Sequence, residues 1–241
     1  NETRPILHVN KQNNFNKFCY NKILCRFYLK RRKMRRDEFK CDGFALIKTM
    51  LSQMPFGTMV IPDTPLPYAV PISFCFDENY ATKGGIYFHG AGSGRKFELL
   101  KNEPSVVFSA VKPYSYIPSR FLSGKMTPTQ FFFSVLIEGR FEVVQDLAQK
   151  CEILDALVRK YEPQNATFCL EKSPFAGAQK HTFVGVIKVE NLSAKAKFGQ
   201  NMSQDAFDDL MLDLQKRADT LDKDTLKLMQ HFTKIKKPKI K

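Results

Sequence analysis

Apolar and polar residues alternate most clearly over Phe131–Val144. Phe131, Phe133, Val135, Ile137, Phe141 and Val143 share one face, and Phe132, Ser134, Leu136, Glu138, Arg140 and Glu142 share the other, more polar one. A period of two over this length predicts the longest strand, with a core side and a side that meets solvent, ligand or a partner. Shorter β-prone runs predict strands at Phe56–Ile61, Tyr68–Phe76, Ile86–His89, Ser105–Val111 and Thr182–Val189. In the second of these Tyr68, Val70, Ile72 and Phe74 fall on one face. Spacings of three and four predict helices instead. One runs from Asp37 to about Gln53, with Phe44, Ile47, Leu51 and Met54 as its stripe and Pro55 as its stop. A short one covers Arg95–Lys101. A long one follows Asp146, which can cap it with Gln149 at the capping-box position; its stripe is Leu147, Cys151, Leu154, Val158 and Tyr161, and Pro163 ends it.

Residues 112–130 hold Pro113, Pro118, Gly124 and Pro128, with Tyr114, Tyr116 and Phe121 between them, and read as a long aromatic loop of the kind that covers a site. After residue 200, Ser203 can cap a helix with Phe207, Leu210, Met211 and Leu214 on its apolar stripe, and a second helix carries Leu221, Leu228 and Phe232. These two helices either pack on their own barrel or cover a partner subunit; the pattern does not separate the two. Six strands, with one long helix between the last two, predict a mainly β (α+β) fold. A small barrel decorated by helices suits this order better than a doubly wound sheet, which would alternate strand and helix throughout.

The net charge of +14 suggests nucleic acid until it is located. Residues 1–36 carry eleven Lys or Arg against one acid, and residues 231–241 carry five Lys and no acid, leaving a body with 22 basic and 23 acidic residues. The basicity belongs to the two ends, which argues against a nucleic-acid surface on the body. Residues 1–33 show no sustained period and read as a basic arm or as an extension upstream of a start at Met34. Met34-Arg35-Arg36-Asp37 leads directly into the first helical pattern, which favours the second reading. Cys19, Cys25, Cys41, Cys75, Cys151 and Cys169 form no C-x-x-C pair, and His8, His89, His181 and His231 lie far apart, so no metal site is expected. Scattered cysteines, no apolar run of roughly 20 residues and no secretory signal make a cytoplasmic protein the expectation, with no membrane partner.

The chemistry-bearing stretch is Ile86–Leu100. A strand meets His89, then Gly90, Gly92 and Gly94 within five residues, then Arg95 and Lys96 at the start of a helix. Backbone N–H groups in a glycine-rich turn together with two cations suit a phosphate group. A solvated turn with two ordinary surface cations fits the same residues equally well.

Four segments, in register, carry a resemblance: Pro71-Ile72-Ser73-Phe74, Ile86-Tyr87-Phe88-His89-Gly90-Ala91, Gly94-Arg95-Lys96 and Phe133-Ser134-Val135-Leu136-Ile137-Glu138-Gly139-Arg140. Over about Met34–Lys197 the chain resembles the flavin-binding split-barrel superfamily of pyridoxamine 5′-phosphate oxidase-like proteins, and within it the nitroimidazole-resistance branch. The resemblance implies a six-stranded split β-barrel with flanking helices over residues 34–198, and leaves 1–33 as a basic extension and 199–241 as a helical C-terminal extension with a Lys-rich tail. It implies a homodimer with FMN at the subunit interface. Arg95 and Lys96 then hold the FMN phosphate; Val70, Pro71, Ile72 and Ser73 lie along the isoalloxazine edge; Phe88, His89 and Ala91 belong to the following segment; and Ser134 takes the position of a polar flavin contact. An FMN-dependent oxidoreductase acting on small nitro-aromatic-like acceptors is the implied activity, with His89 as a proton donor or substrate contact. The substrate-phosphate residues of true pyridoxamine phosphate oxidases have no match. The alternative is a flavin- or haem-binding barrel without turnover, in which His89 is an iron ligand.

Overall fold

In the computed structural model, which describes residues 34–235, the chain runs β1 (Lys40–Cys41), α1 (Phe44–Gln53), β2 (Phe56–Ile61), β3 (Tyr68–Ser73), β4 (Cys75–Asp77), β5 (Gly85–Gly90), α2 (Arg95–Leu100), β6 (Ser105–Ile117), β7 (Thr129–Val143), α3 (Leu147–Tyr161), β8 (Phe183–Lys197), α4 (Gln204–Arg217) and α5 (Asp222–Ile235). The basic segment 1–33 and the last lysines, 236–241, lie outside the described residues. From Glu38 on, the chain folds as one unit.

Every strand pair is antiparallel, in the order β3-β2-β6-β7-β8-β5-β4, with β1 beside β8. β3 and β4 are halves of one run interrupted at Phe74: the first half pairs with β2, the second with β5, and β3 also lies against β5. The two ends of the strand order are thus one residue apart in the chain, which curls the sheet into a barrel. Counting that run once and setting aside the two-residue β1 gives the expected six strands. Phe74, Phe88, Phe108, Phe131, Phe133 and Phe141 fill the interior, fully buried. On β7 the period of two is realised over most of its length, with Phe131, Phe133, Val135, Ile137 and Phe141 inside.

The break at Phe74 removes its main-chain groups from both ladders, and α3 satisfies them. The Phe74 N–H donates to Tyr161 Oη (2.9 Å), and the Phe74 carbonyl accepts from Lys160 Nζ (2.6 Å). The same ammonium reaches the carbonyls of Met54 (2.8 Å) and Leu51 (3.3 Å) at the end of α1, the second of which also accepts the Met54 N–H at 3.4 Å. Tyr161 Oη donates to the Pro55 carbonyl at 2.5 Å. Burial lowers the Lys160 pKa to about 8, so the group is still mostly charged at neutral pH. Lys160→Met leaves three carbonyls without this donor and is expected to lower stability by about 2–4 kcal/mol in urea unfolding. A loss below about 0.5 kcal/mol, the usual range of surface substitutions, contradicts the staple role.

Four expectations are corrected. The helix expected from Asp37 starts at Phe44, because Lys40 and Cys41 pair with Lys195 and Ala194 of β8 instead. The strand expected at Ser105–Val111 continues to Ile117, so the loop expected at 112–130 is shorter. Pro113 is tolerated because the register shifts between Pro113 and Tyr116, where the ladder asks for no regular N–H. Tyr114 and Phe121 are core residues rather than a cover for a site. The strand expected to end at Val189 runs to Lys197; a register shift at Glu138/Gly139, opposite Glu190, and the small Ala194 and Ala196 on the inner face hide its second half. On α3, Asp146 does cap, accepting from the Gln149 N–H, but the face turned inward carries Cys151, Ile153 and Leu157. Leu147 and Tyr161 are exposed, because Ile153 and Leu157 pack on Tyr87, Val184 and Val186 and rotate the helix.

Ser203 caps α4, accepting from the Ala206 N–H. Phe207, Leu210 and Leu214 of α4 and Leu228, Met229 and Phe232 of α5 join the same core as Tyr114, Phe131 and Phe198, and Phe232 stacks on Phe198 with ring centroids 5.7 Å apart. The C-terminal helices therefore pack on the barrel of their own chain. No described helix is long and apolar enough to cross a membrane.

Candidate functional site

β5 delivers the chain to an exposed loop, Ala91–Gly94, before α2 turns it back. Gly94 has φ +88° and ψ 174°, a conformation that side-chain-bearing residues adopt only with strain. A Cβ added at Gly92 or Gly94 would meet nothing within 4 Å, so the loop is open on its outer side. At Gly90 the same addition would lie 2.6 Å from Lys96 Nζ, which shows that Lys96 folds back over the end of β5.

Lys96 is half-buried, with its ammonium 5.7 Å from the centroid of the Phe88 ring. Burial pushes its pKa down, and no carboxylate among the described residues offsets this. A sheltered cation without a counter-ion is unfavourable by itself, and an anion bound beside it would relieve the penalty. His89 points outward from β5, opposite Val184 in the ladder. Its pKa is lowered first by desolvation and then by the charge of Lys96, so the imidazolium form is disfavoured beside the cation. Arg95 lies across from the start of β3, its guanidinium carbon 4.7 Å from the centroid of the Tyr68 ring. Its Nε and Nη2 donate to Asp63 Oδ2 at 2.9 and 2.6 Å.

One chain thus brings together Arg95, Lys96, His89, the glycine loop and the neighbouring β3. Among the other expected site residues, Ile72 and Phe88 are core side chains, and Val70 packs against the same core. Ile72 and Phe88 can offer a ligand only their main chain, while Val70 is half-buried. Pro71 and Ala91 are exposed and Ser73 is half-buried. Ser134 stands apart: it is half-buried on the outer face of β7, opposite Val111 and Lys195, with β8 between it and β5, and β6 and β2 between it and β3. Asp63 and Tyr68 join the cluster without any sequence signal, since Pro62-Asp63-Thr64-Pro65 reads only as a turn and Tyr68 only as a strand residue.

The outer face around Ser134 is unusually apolar. Phe56 on β2, Val111 on β6 and Leu136 on β7 are 60%, 54% and 44% exposed on adjacent strands. A recess of about 360 Å³ opens elsewhere, lined in part by Tyr114, Tyr116, Gln130, Arg217 and Asp222. It shares no residue with the Arg95–Lys96 cluster, and its buried Ser115 and Asp222 are hydrogen-bonded to one another, with Arg217 also on the carboxylate. Among the described residues no group of three or more His, Cys, Asp and Glu is placed to hold a metal ion.

The family model for pyridoxamine 5′-phosphate oxidase matches residues 45–196. The protease synthase and sporulation protein PAI 2 of Bacillus subtilis is 26% identical over 205 residues, covering 83% of this chain and 96% of that protein. Solved structures share the fold at lower identity. The flavocytochrome Anf3 from Azotobacter vinelandii matches with TM-score 0.56 at 20% identity, over 69% of this chain and 72% of that one. An FAD and haem binding protein from Mycobacterium smegmatis gives 0.56 at 17%, over 70% and 78%. A candidate 5-nitroimidazole antibiotic resistance protein from Bacteroides thetaiotaomicron gives 0.51 at 21%, over 65% and 85%.

Proposed function

We propose that this chain, which belongs to the pyridoxamine 5′-phosphate oxidase family, binds FMN by its phosphate at Gly90–Lys96 and serves as an oxidoreductase for small acceptors of the nitro-aromatic kind. The observation that carries the reading is Lys96, a half-buried cation with no carboxylate partner among the described residues, folded over an open glycine loop beside Arg95. That donor set suits a phosphate monoester. The names of the flavocytochrome and of the FAD and haem binding protein support a flavin on this fold, and the nitroimidazole-resistance name supports the acceptor class. When bound, the flavin would supply hydride and electron transfer, while the protein supplies binding, orientation and exclusion of competing reactions.

In this reading Lys96 and Arg95 hold the phosphate, and the main chain of Val70–Ser73 and Phe88 borders the ring system. His89 contributes a neutral imidazole that can donate or accept one hydrogen bond beside the ring. The apolar outer face at Phe56, Val111 and Leu136 packs against a second copy, which brings Ser134 of that copy to the flavin. A cytoplasmic setting agrees with the free thiols of Cys41, Cys75, Cys151 and Cys169.

The purified protein is expected to show flavin absorption bands and to release a ligand with the mass of FMN. A Soret band with no flavin overturns the FMN reading. Leu136→Arg places a charge on the proposed dimer face and is expected to weaken self-association about tenfold or more. Sedimentation equilibrium measures this, and a dimer of unchanged affinity rules the face out.

A further inference from the structure

We infer that Asp63 and Tyr68 are positioning residues for the phosphate clamp: together they fix the guanidinium of Arg95 so that one of its two forked edges stays available to an incoming phosphate ester. The inference rests on the FMN reading and concerns how its phosphate is held.

A guanidinium has two edges that can grip an oxyanion, one formed by Nε and Nη2 and the other by Nη1 and Nη2. Asp63 Oδ2 takes the first, at 2.9 Å from Nε and 2.6 Å from Nη2. The carboxylate is itself anchored, since its Oδ1 accepts the Thr64 N–H at 2.7 Å. The Tyr68 ring lies 4.7 Å from the guanidinium carbon. The ring therefore limits the tilt of the guanidinium plane, and the carboxylate sets its rotation within that plane. Nη1 makes no hydrogen bond among the described residues, so the second edge remains open. Exposure agrees with this arrangement: the Asp63 side chain is 20% exposed and the Arg95 side chain 57%, so the acid sits sheltered behind an outward-facing cation. Asp63 responds to the contact, its pKa held down chiefly by the hydrogen bond from Arg95.

Two consequences distinguish this arrangement from a simple surface ion pair. Asp63 cancels most of the Arg95 charge, so Lys96 supplies the net attraction and Arg95 the direction. A lysine at position 95 cannot reproduce the fork, so Arg95→Lys behaves like Arg95→Ala.

The test is the affinity of the full chain for FMN and for riboflavin, read by quenching of flavin fluorescence. Asp63→Ala and Tyr68→Leu are each expected to weaken FMN binding about five- to twentyfold and to leave riboflavin binding unchanged. Asp63→Glu should recover part of the loss. In the Arg95→Ala background Asp63→Ala should cause no further loss, because the two act through one contact. If Arg95→Ala weakens FMN but Asp63→Ala leaves it equal or tighter, the carboxylate is a competitor or a bystander and the inference fails while the FMN reading stands. Equal loss of riboflavin and FMN in Asp63→Ala also overturns the inference, since it marks a disturbed loop. If the Arg95→Ala/Lys96→Ala pair loses no FMN affinity, the phosphate site itself is wrong.

Discussion

Asp222→Ala is expected to lower the stability of the protein by about 3–5 kcal/mol, measured by urea unfolding. Asp222 is buried at the start of α5, and both of its oxygens are occupied. Oδ1 accepts from Ser115 Oγ (2.5 Å) and from Arg217 Nη2, and Oδ2 accepts from Arg217 Nε and from the Asp219 N–H, both at 2.9 Å. Arg217 Nη1 continues to the Tyr116 carbonyl at 2.8 Å, and Thr225 Oγ1 receives the Ser115 N–H at 3.0 Å. This network ties the two C-terminal helices to the last residues of β6. Removing the acid leaves a largely buried guanidinium and a buried hydroxyl without their partner. Asp222→Asn, which keeps acceptor capacity and loses the charge, should be milder.

The same group gives a pH dependence. Burial pushes the Asp222 carboxyl up, but the hydrogen bonds from Arg217, Ser115 and Asp219 outweigh it, and its pKa falls below the ordinary 3.8. A folded-state pKa below the unfolded one means that the contribution is complete above 3.8 and is lost as pH falls through the lower folded value. Wild-type stability should therefore drop as pH falls from about 3.8 towards the lower folded value, and Asp222→Ala should lack this component. Parallel acid profiles for the two proteins contradict the assignment.

The second large effect concerns binding. Replacing Arg95 and Lys96 together with alanine is expected to weaken FMN about 100-fold or more, because two charge-assisted contacts to the phosphate are lost. Riboflavin, which has no phosphate, should bind as before, and circular dichroism should show an unchanged fold. Lys96→Ala alone should account for most of the loss, since Asp63 already neutralises Arg95. Ligand-free Lys96→Ala should also unfold at a slightly higher urea concentration than wild type. Its half-buried ammonium has no carboxylate among the described residues to stabilise it, which is the strain expected of a binding group awaiting its ligand. A ligand-free variant less stable than wild type would mark Lys96 as a structural residue instead.

The barrel was legible where side chains alternate in size and polarity. β7 carries phenylalanines and branched residues inside, with serine, glutamate and arginine outside, and its period of two survives folding. The second half of β8 does not alternate in that way, because Ala194 and Ala196 face inward against neighbouring strands that need only a small side chain. β6 was cut short at Pro113, whose usual meaning is overridden by a local register shift. The break at Phe74 was invisible, since what permits it is the ammonium and hydroxyl at the far end of α3, 86 and 87 residues away along the chain. At the site, the Gly90–Lys96 segment announces itself because its glycines and cations are contiguous. Asp63 and Tyr68 do not, because their role exists only when the β2–β3 turn is folded against the start of α2. The orphan state of Lys96 is likewise a property of three-dimensional surroundings: 24 acidic residues are present in the chain, and only the fold shows that none of those described neutralises it.

We propose that Gly90–Lys96 holds the phosphate of FMN. The most direct test is a calorimetric titration of the ligand-free full chain with FMN and, separately, with riboflavin. FMN is expected to bind about 100-fold more tightly than riboflavin if Lys96 and Arg95 hold its phosphate. Equal affinities for the two ligands would contradict it.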